Sequence, residues 1–230
     1  MSIASNLAAI HDRIARAGRD PNSVALMAVT KTFPAEQIIE AYNAGQRLFG
    51  ENRIQEFAEK VGALANLPDA KFHMIGHLQS NKAAKAAEIF HAIDSLDSAK
   101  LAQRLDTAAE KLGKTLDVLI EINVGGEEAK SGIAPVAAEL EAILSQASDW
   151  KHLRVRGLMT VPPFTDDPEG ARPYFRQLRE LRDRLRTRNF SAVSFDVLSM
   201  GMSHDFEVAI EEGSTCVRLG TAIFGTRSKP

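Results

Sequence analysis

The chain has little sulfur, little aromatic character and no charge bias, and each shortage excludes something. Cys216 is the only cysteine in 230 residues, so neither an internal disulfide nor a cysteine-based metal framework can form. It sits inside an apolar run and reads as a small core residue. Lys and Arg number 28 against 30 Asp and Glu, a formal net charge of −2, so no electrostatic ground exists for a nucleic-acid partner. No stretch approaches the roughly 18 apolar residues that would span a membrane. Met1 to Gly18 lacks the continuous apolar segment of a secretion signal, being interrupted by Asp12 and Arg13, and a cytoplasmic protein is expected. In that setting the Asn189-Phe190-Ser191 match to a glycosylation acceptor is accidental.

What is present is ordinary for a globular domain, 44% hydrophobic and 25% charged residues, but regularly punctuated. Ile3, Leu7, Ile10 and Ile14 recur at helical spacing, which predicts an N-terminal helix over residues 1–18 with Gly18 as its stop. β-branched runs then alternate with helical patterns. Strands are expected at 24–31, 47–50, 71–75, 90–93, 116–124, 155–161, 193–199 and 215–219. Helices are expected at 35–44, 53–65, 81–88, 99–112, 136–147, 173–188 and 204–212. Eight such units of about 29 residues favour one α/β domain over 1–230, a single-domain (β/α)8 TIM barrel over 24–225, with a doubly wound open sheet as the alternative. The helix from Pro173 carries Arg172, Arg176, Arg179, Arg182, Arg184, Arg186 and Arg188. It reads as a solvated face partly balanced by Glu180 and Asp183, with docking of an acidic partner as the other reading.

In such barrels functional residues lie at the C-terminal ends of strands. That selects Lys31, Glu51-Asn52, Gly76-His77, Lys130, Met159-Thr160, Ser199 to Ser203 and Arg218 to Thr221. Lys31 follows the apolar run from Val24 to Thr30. A lysine stem buried there would be desolvated and its amine freed as a nucleophile toward carbonyls, whereas a lysine snorkelling outward would be inert. Ser199-Met200-Gly201-Met202-Ser203 opens a helix after the seventh strand, and Arg218-Leu219-Gly220-Thr221 ends the eighth. Loops after these two strands commonly hold phosphate in this fold, although capping serines in tight turns would look the same. Strand one neighbours strand eight on closure, so an amine and a phosphate cradle together point to pyridoxal phosphate.

Other constellations are weaker. His73 and His77 are four apart but Gly76 stands where a zinc-helix glutamate belongs. Ser203, His204 and Asp205 are consecutive and diverge along a helix, so they form no relay. Glu127-Glu128 and Glu211-Glu212 read as solvated charge.

Several longer segments carry a resemblance. Ala28-Val29-Thr30-Lys31, Phe49-Gly50-Glu51-Asn52, the run from His73 to Lys82, Lys130-Ser131-Gly132, Gly157-Leu158-Met159-Thr160, Leu198 to Ser203 and Val217 to Gly225 look like the YggS/PROSC family of pyridoxal phosphate homeostasis proteins, in the same order and over nearly the whole chain. The resemblance implies a barrel similar to the N-terminal domain of alanine racemase. It implies pyridoxal phosphate (PLP) as a Schiff base on Lys31, a phosphate cradle at Ser199, Gly201, Ser203, Gly220 and Thr221, and Asn52 in the cofactor pocket. Arg218 corresponds to the arginine that in racemases meets the pyridine nitrogen, or turns to the phosphate here. Racemases take their second acid/base group from a C-terminal domain, and this chain reaches Pro230 directly after its last barrel motif. A monomeric carrier or regulator of vitamin B6 and amino-acid homeostasis is therefore expected, with apo PLP enzymes as candidate recipients. A weakly active amino-acid racemase is the alternative. Lys82 and Lys130 lie in family motifs with release, a second binding site or surface charge all open.

Overall fold

The computed structural model describes residues 2–17, 20, 23–127 and 131–226; Gly18, Glu128, Lys130 and Pro230 fall outside them. Eight parallel strands close into a barrel in simple sequence order. They are β1 (Ala25–Val29), β2 (Leu48–Glu51), β3 (Lys71–Met74), β4 (Ala92–Leu96), β5 (Leu116–Glu121), β6 (Leu153–Met159), β7 (Val193–Ser199) and β8 (Cys216–Leu219). Helices α2 (Ala35–Asn43), α3 (Ile54–Lys60), α4 (Ala83–Ile89), α5 (Ala99–Lys111), α6 (Ala138–Gln146), α7 (Arg172–Arg186) and α8 (Phe206–Glu211) return the chain between strands, and α9 (Thr221–Phe224) follows the last one. β1 pairs β8 with Met27 opposite Arg218, which completes the circle.

Helix α1 (Ile3–Arg16) forms because its four periodic residues all become buried and Ser2 accepts a hydrogen bond from the Ser5 amide. Asn6 Nδ2 donates to the Ile223 carbonyl at 2.8 Å, and Arg13 forms a two-pronged pair with Glu207, so α1 is tied to α9 and α8.

Side chains alternate across each strand, and this sets what faces the interior. Ala25, Met27, Asp117, Leu119, Val197 and Cys216 line a cavity of about 210 Å³ in the lower half of the barrel. Two residues further along the same inward faces come Val29 and then Lys31, Glu121, Ser199 and Arg218. One alternation therefore separates a mainly apolar lower layer, with His73, Asp94, Asp117 and Arg156 in its wall, from a polar upper one. Cys216 is buried, and that burial pushes its thiol up to about 12.

Gly157 sits where the register of β6 shifts against both neighbours. A Cβ there would come within 1.8 Å of the Val197 carbonyl oxygen, so only glycine lets β6 and β7 approach. The fourth strand runs over Ala92–Leu96 and not over 90–93 as its hydrophobicity suggested. Two polar residues displaced the expectation: Asp94 turns inward to meet His73 Nδ1 at 3.1 Å, and Ser95 donates to the Gly76 carbonyl at 2.7 Å.

The arginines of α7 mostly meet carboxylates of their own chain. Arg172 reaches Glu169, Glu211 and Glu212, and Arg176 and Arg179 also converge on Glu212. Arg182 pairs with Asp183, and Arg188 pairs with Glu141. Glu212 is only 4% exposed, which overturns its reading as solvated charge. Burial alone would raise its pKa, but hydrogen bonds from Arg176 and Arg172 with the nearby Arg179 charge hold it below the usual carboxylate range.

Candidate functional site

The upper mouth of the barrel collects the residues selected from sequence. Lys31 lies half-buried in the turn after β1. Its neighbour Thr32 has φ of 69°, a region rarely used by non-glycine residues and costly unless the surroundings hold it. They do. The Thr32 amide donates to Glu56, Lys60 Nζ donates to the Thr30 carbonyl at 3.2 Å and to Glu56 at 2.7 Å, and the Phe33 ring lies 4.7 Å from that of Phe224. The lysine turn is thereby fixed to α3 on one side and to α9 on the other.

Glu51 belongs to that support rather than to the mouth. It is fully buried, accepts from Thr30 Oγ1 at 2.7 Å and from Lys60 Nζ at 3.3 Å, and burial raises its pKa against the opposing pull of Lys60. Asn52, next along, is half-buried, and its backbone is where a Cβ on Gly76 would collide, 2.3 Å from the Asn52 carbonyl oxygen. Gly76 thus stands where it does for close packing of the β2 and β3 ends.

On the opposite side of Lys31, the loops after β7 and β8 fold into one another. Gly201 has φ of 95°, and a Cβ would stand 2.6 Å from that of Ala209. The Gly201 carbonyl accepts from the Arg218 amide at 3.0 Å. Ser203 Oγ accepts from the Gly220 and Ala222 amides at 3.3 and 3.4 Å, so a side-chain oxygen already occupies the focus of these donors. Thr221 is exposed beside them. Asp205 Oδ1 takes the Met202 amide at 2.7 Å, and His204 turns away to the Asp166 carbonyl, so the three consecutive residues diverge as their spacing required.

Arg218 is 4% exposed and donates to Ser199 Oγ and to the Thr160 carbonyl, both at 2.7 Å. Among the described residues no carboxylate lies within 4 Å of it, and burial lowers its pKa, with the charges of Asp94, Glu121 and Asp205 opposing at longer range. A buried cation held only by neutral groups keeps its attraction for an incoming anion.

Sequence reasoning missed Glu121. It ends β5, diametrically across an eight-stranded ring from β1, and is 5% exposed. Ser131 donates to its Oε1 at 2.9 Å, while Oε2 has no hydrogen-bond partner among the described residues, and burial raises its pKa. The signal available was its register two residues beyond Leu119. His73 and His77 separate, the first inward to Asp94 and the second to Asp97 at 3.1 Å in an exposed loop. Among the described residues no group of three metal-ligating side chains exists.

A closed parallel barrel with a lysine turn after its first strand and interlocked anion-type loops after its last two defines a class of protein, and the comparisons place the chain within it. Residues 3–228 match the family described as alanine racemase, N-terminal domain. A pyridoxal phosphate homeostasis protein of Aquifex aeolicus (strain VF5) is 49% identical over 212 residues, covering 92% of this chain and 91% of that protein. The protein of that name from Escherichia coli (strain K12) is 42% identical over 237 residues, covering 98% and 97%. The solved structure of PipY from Synechococcus elongatus PCC7942, with PLP bound, superposes with a TM-score of 0.85 at 40% identity, covering 97% of this chain and all of that one. An alanine racemase of Clostridium difficile 630, at 15% identity and a TM-score of 0.76, shares the fold over 99% of this chain and 57% of its own. The chain belongs to the alanine racemase N-terminal domain family and, within it, to the pyridoxal phosphate homeostasis proteins.

Proposed function

We propose that the chain binds pyridoxal phosphate at the upper mouth as a Schiff base on Lys31 and serves intracellular vitamin B6 and amino-acid homeostasis by holding and releasing it. The observation that carries this reading is the buried, carboxylate-free guanidinium of Arg218 beside the interlocked Ser203–Gly220 loops, one strand from Lys31. These residues fit the cofactor. In this reading Ser199, Gly201, Ser203, Gly220 and Thr221 cradle the phosphate dianion, and Arg218 and Asn52 border the ring. PLP, when bound, supplies an aldehyde that condenses reversibly with a lysine amine. The Glu56–Lys60 pair holds the turn that carries Lys31. Arg218, with no carboxylate in direct contact, draws the anionic cofactor to this side of the mouth. The names of the relatives, pyridoxal phosphate homeostasis proteins, and the PLP in the PipY structure support the same reading. We further propose that the chain acts in the cytoplasm as a monomer and passes cofactor to apo enzymes. Among the described residues no helix is long and apolar enough to cross a membrane.

Borohydride treatment of PLP-loaded protein followed by peptide mass spectrometry tests the assignment. A single adduct on Lys31 is expected, and Lys31→Ala should form none. An equal adduct in the alanine variant would falsify it. Racemase chemistry is the second reading, favoured by Glu121: a carboxyl of raised pKa across the mouth from Lys31 could hold a proton at Oε2. Exchange of amino-acid α-hydrogens in D2O, lost in Glu121→Gln, would support it; no exchange above free PLP removes it.

A further inference from the structure

We propose that the face formed by the Ser80–Lys82 turn and the first turns of α5 is a second anion site, taking a phosphate monoester beside the principal mouth. Two grooves meet there along His77, Leu78 and Gln79. The first, about 260 Å³, is bordered by Arg53 and Lys82. The second, about 500 Å³, is bordered by Lys100 and Arg104. Among the described residues none of these four cations has a carboxylate within 4 Å, and the only acid lining either groove, Asp97, is already taken by His77 Nδ1.

Their placement runs against helix stability. Lys100 and Arg104 are four apart, so two like charges share one face of α5 and repel. The first turn of α5 carries Lys100, and a carboxylate from α6, Glu139, already meets the Ala99 amide at that end at 2.6 Å. The like-charge pair therefore carries the argument, and α7 shows that this chain pairs its cations elsewhere. An anion settling between the grooves relieves that repulsion.

The chemistry of the walls selects the ligand class. The lining of the first groove is mainly polar: Gln55 and Gln79 supply amides at its edge, while Ile54, Met74 and Leu78 lie buried beneath it. A small phosphate monoester with hydrogen-bonding groups on its body suits that mixture and volume. Asn52, at the end of β2, lines the same groove, and Gly76 packs on its backbone, so the groove lies beside the strand ends that form the mouth. The site would hold a phosphate monoester entering or leaving Lys31. That it takes a vitamin B6 form in particular rests on the reading given above; the anion site itself does not.

The test starts from protein whose Lys31 has been irreversibly linked to PLP by borohydride, which closes the principal mouth. Calorimetric titration with pyridoxamine 5′-phosphate, alongside NMR of the His77 imidazole, should show one further equivalent per chain and a shifted His77 signal. Affinity should fall at least about tenfold in Lys82→Ala/Lys100→Ala/Arg104→Ala, at least about tenfold for pyridoxamine, and steadily with added salt. Undiminished loading of Lys31 in the triple variant shows that it is folded. The proposal is overturned by absence of a second equivalent, by binding that the triple variant leaves intact, or by inorganic phosphate binding as tightly as the monoester. If Lys31 does not load at all, the principal reading fails by itself. Untreated wild-type and triple-variant chains then decide the groove by the same His77 shift.

Discussion

Arg172 and Arg218 show two ways of withdrawing a guanidinium from water. Arg172 keeps 24% of its side chain exposed and meets three carboxylates, which drives its pKa upward, its hydrogen bonds to Glu169 and Glu211 being the main cause. Arg218 is buried and meets a hydroxyl and a carbonyl, and burial lowers its pKa. The first arrangement closes its electrostatics within the chain and welds α7 to the end of α8. The second leaves a field open at the upper mouth. A charge whose desolvation is not offset by a protein partner marks a place where the offset comes from a ligand.

Substitutions on either side should separate these purposes. The largest stability effect is expected for Glu212→Ala, which strips the shared partner from Arg172, Arg176 and Arg179. Breaking a buried ion pair costs about 3–5 kcal/mol, but these arginines are partly exposed and re-solvate, so about 2 kcal/mol is expected. Thermal unfolding should drop by about 4–8 °C with PLP loading unchanged. Because Glu212 is held below its unfolded pKa, its contribution is present above that unfolded value, about 4.3, and is lost as pH falls through the lower folded one.

Arg218→Met should do the opposite. Relief of the buried charge roughly balances the lost bonds to Ser199 and Thr160, so melting should barely move, while PLP affinity falls at least about tenfold. If melting drops as far as in Glu212→Ala and affinity holds, the contrast between the two arginines is wrong. Glu121→Gln should act more gently. A carboxyl whose folded pKa is raised loses stability as pH climbs from its unfolded value through the folded one, and glutamine removes that slope. Unfolding in urea across pH 5 to 8 should show the variant at least as stable as the parent, by about 1 kcal/mol at the upper end. The smallest effect belongs to His73. Burial opposes its charge, but Asp94 raises its pKa overall, so the pair stabilises fully below about 6.5 and fades as pH rises past the folded value. His73→Gln should flatten that descent; an unaltered pH profile would show that the pair carries no linkage.

The barrel was legible because its code is local. β-branched runs and helical spacing recur at even intervals, and eight strands and seven connecting helices appear in the expected order, though α3 stops at Lys60 where 65 was expected and β5 at Glu121 where 124 was expected. The exceptions have physical causes. The fourth strand hid behind inward-facing Asp94 and Ser95, and α9, four residues long, has too little sequence for a helical period. Lys31, Ser199 and Arg218 were visible because strand alternation and the end-of-strand rule place them. The support beneath Lys31 was not, since Glu51, Glu56 and Lys60 come together only when α3 folds back on β1. Glu212 was misjudged for the same reason: its partners lie on α7, some 36 to 40 residues away.

The buried thiol of Cys216 gives the molecule an internal clock. With its pKa pushed up to about 12, almost none of it is thiolate at neutral pH, so alkylating agents and oxidants find little nucleophile while the lower barrel holds its packing. Labelling then waits on motions that admit a reagent to the cavity it lines and solvate the sulfur. In a chain with one cysteine, its rate reads how often the lower barrel opens.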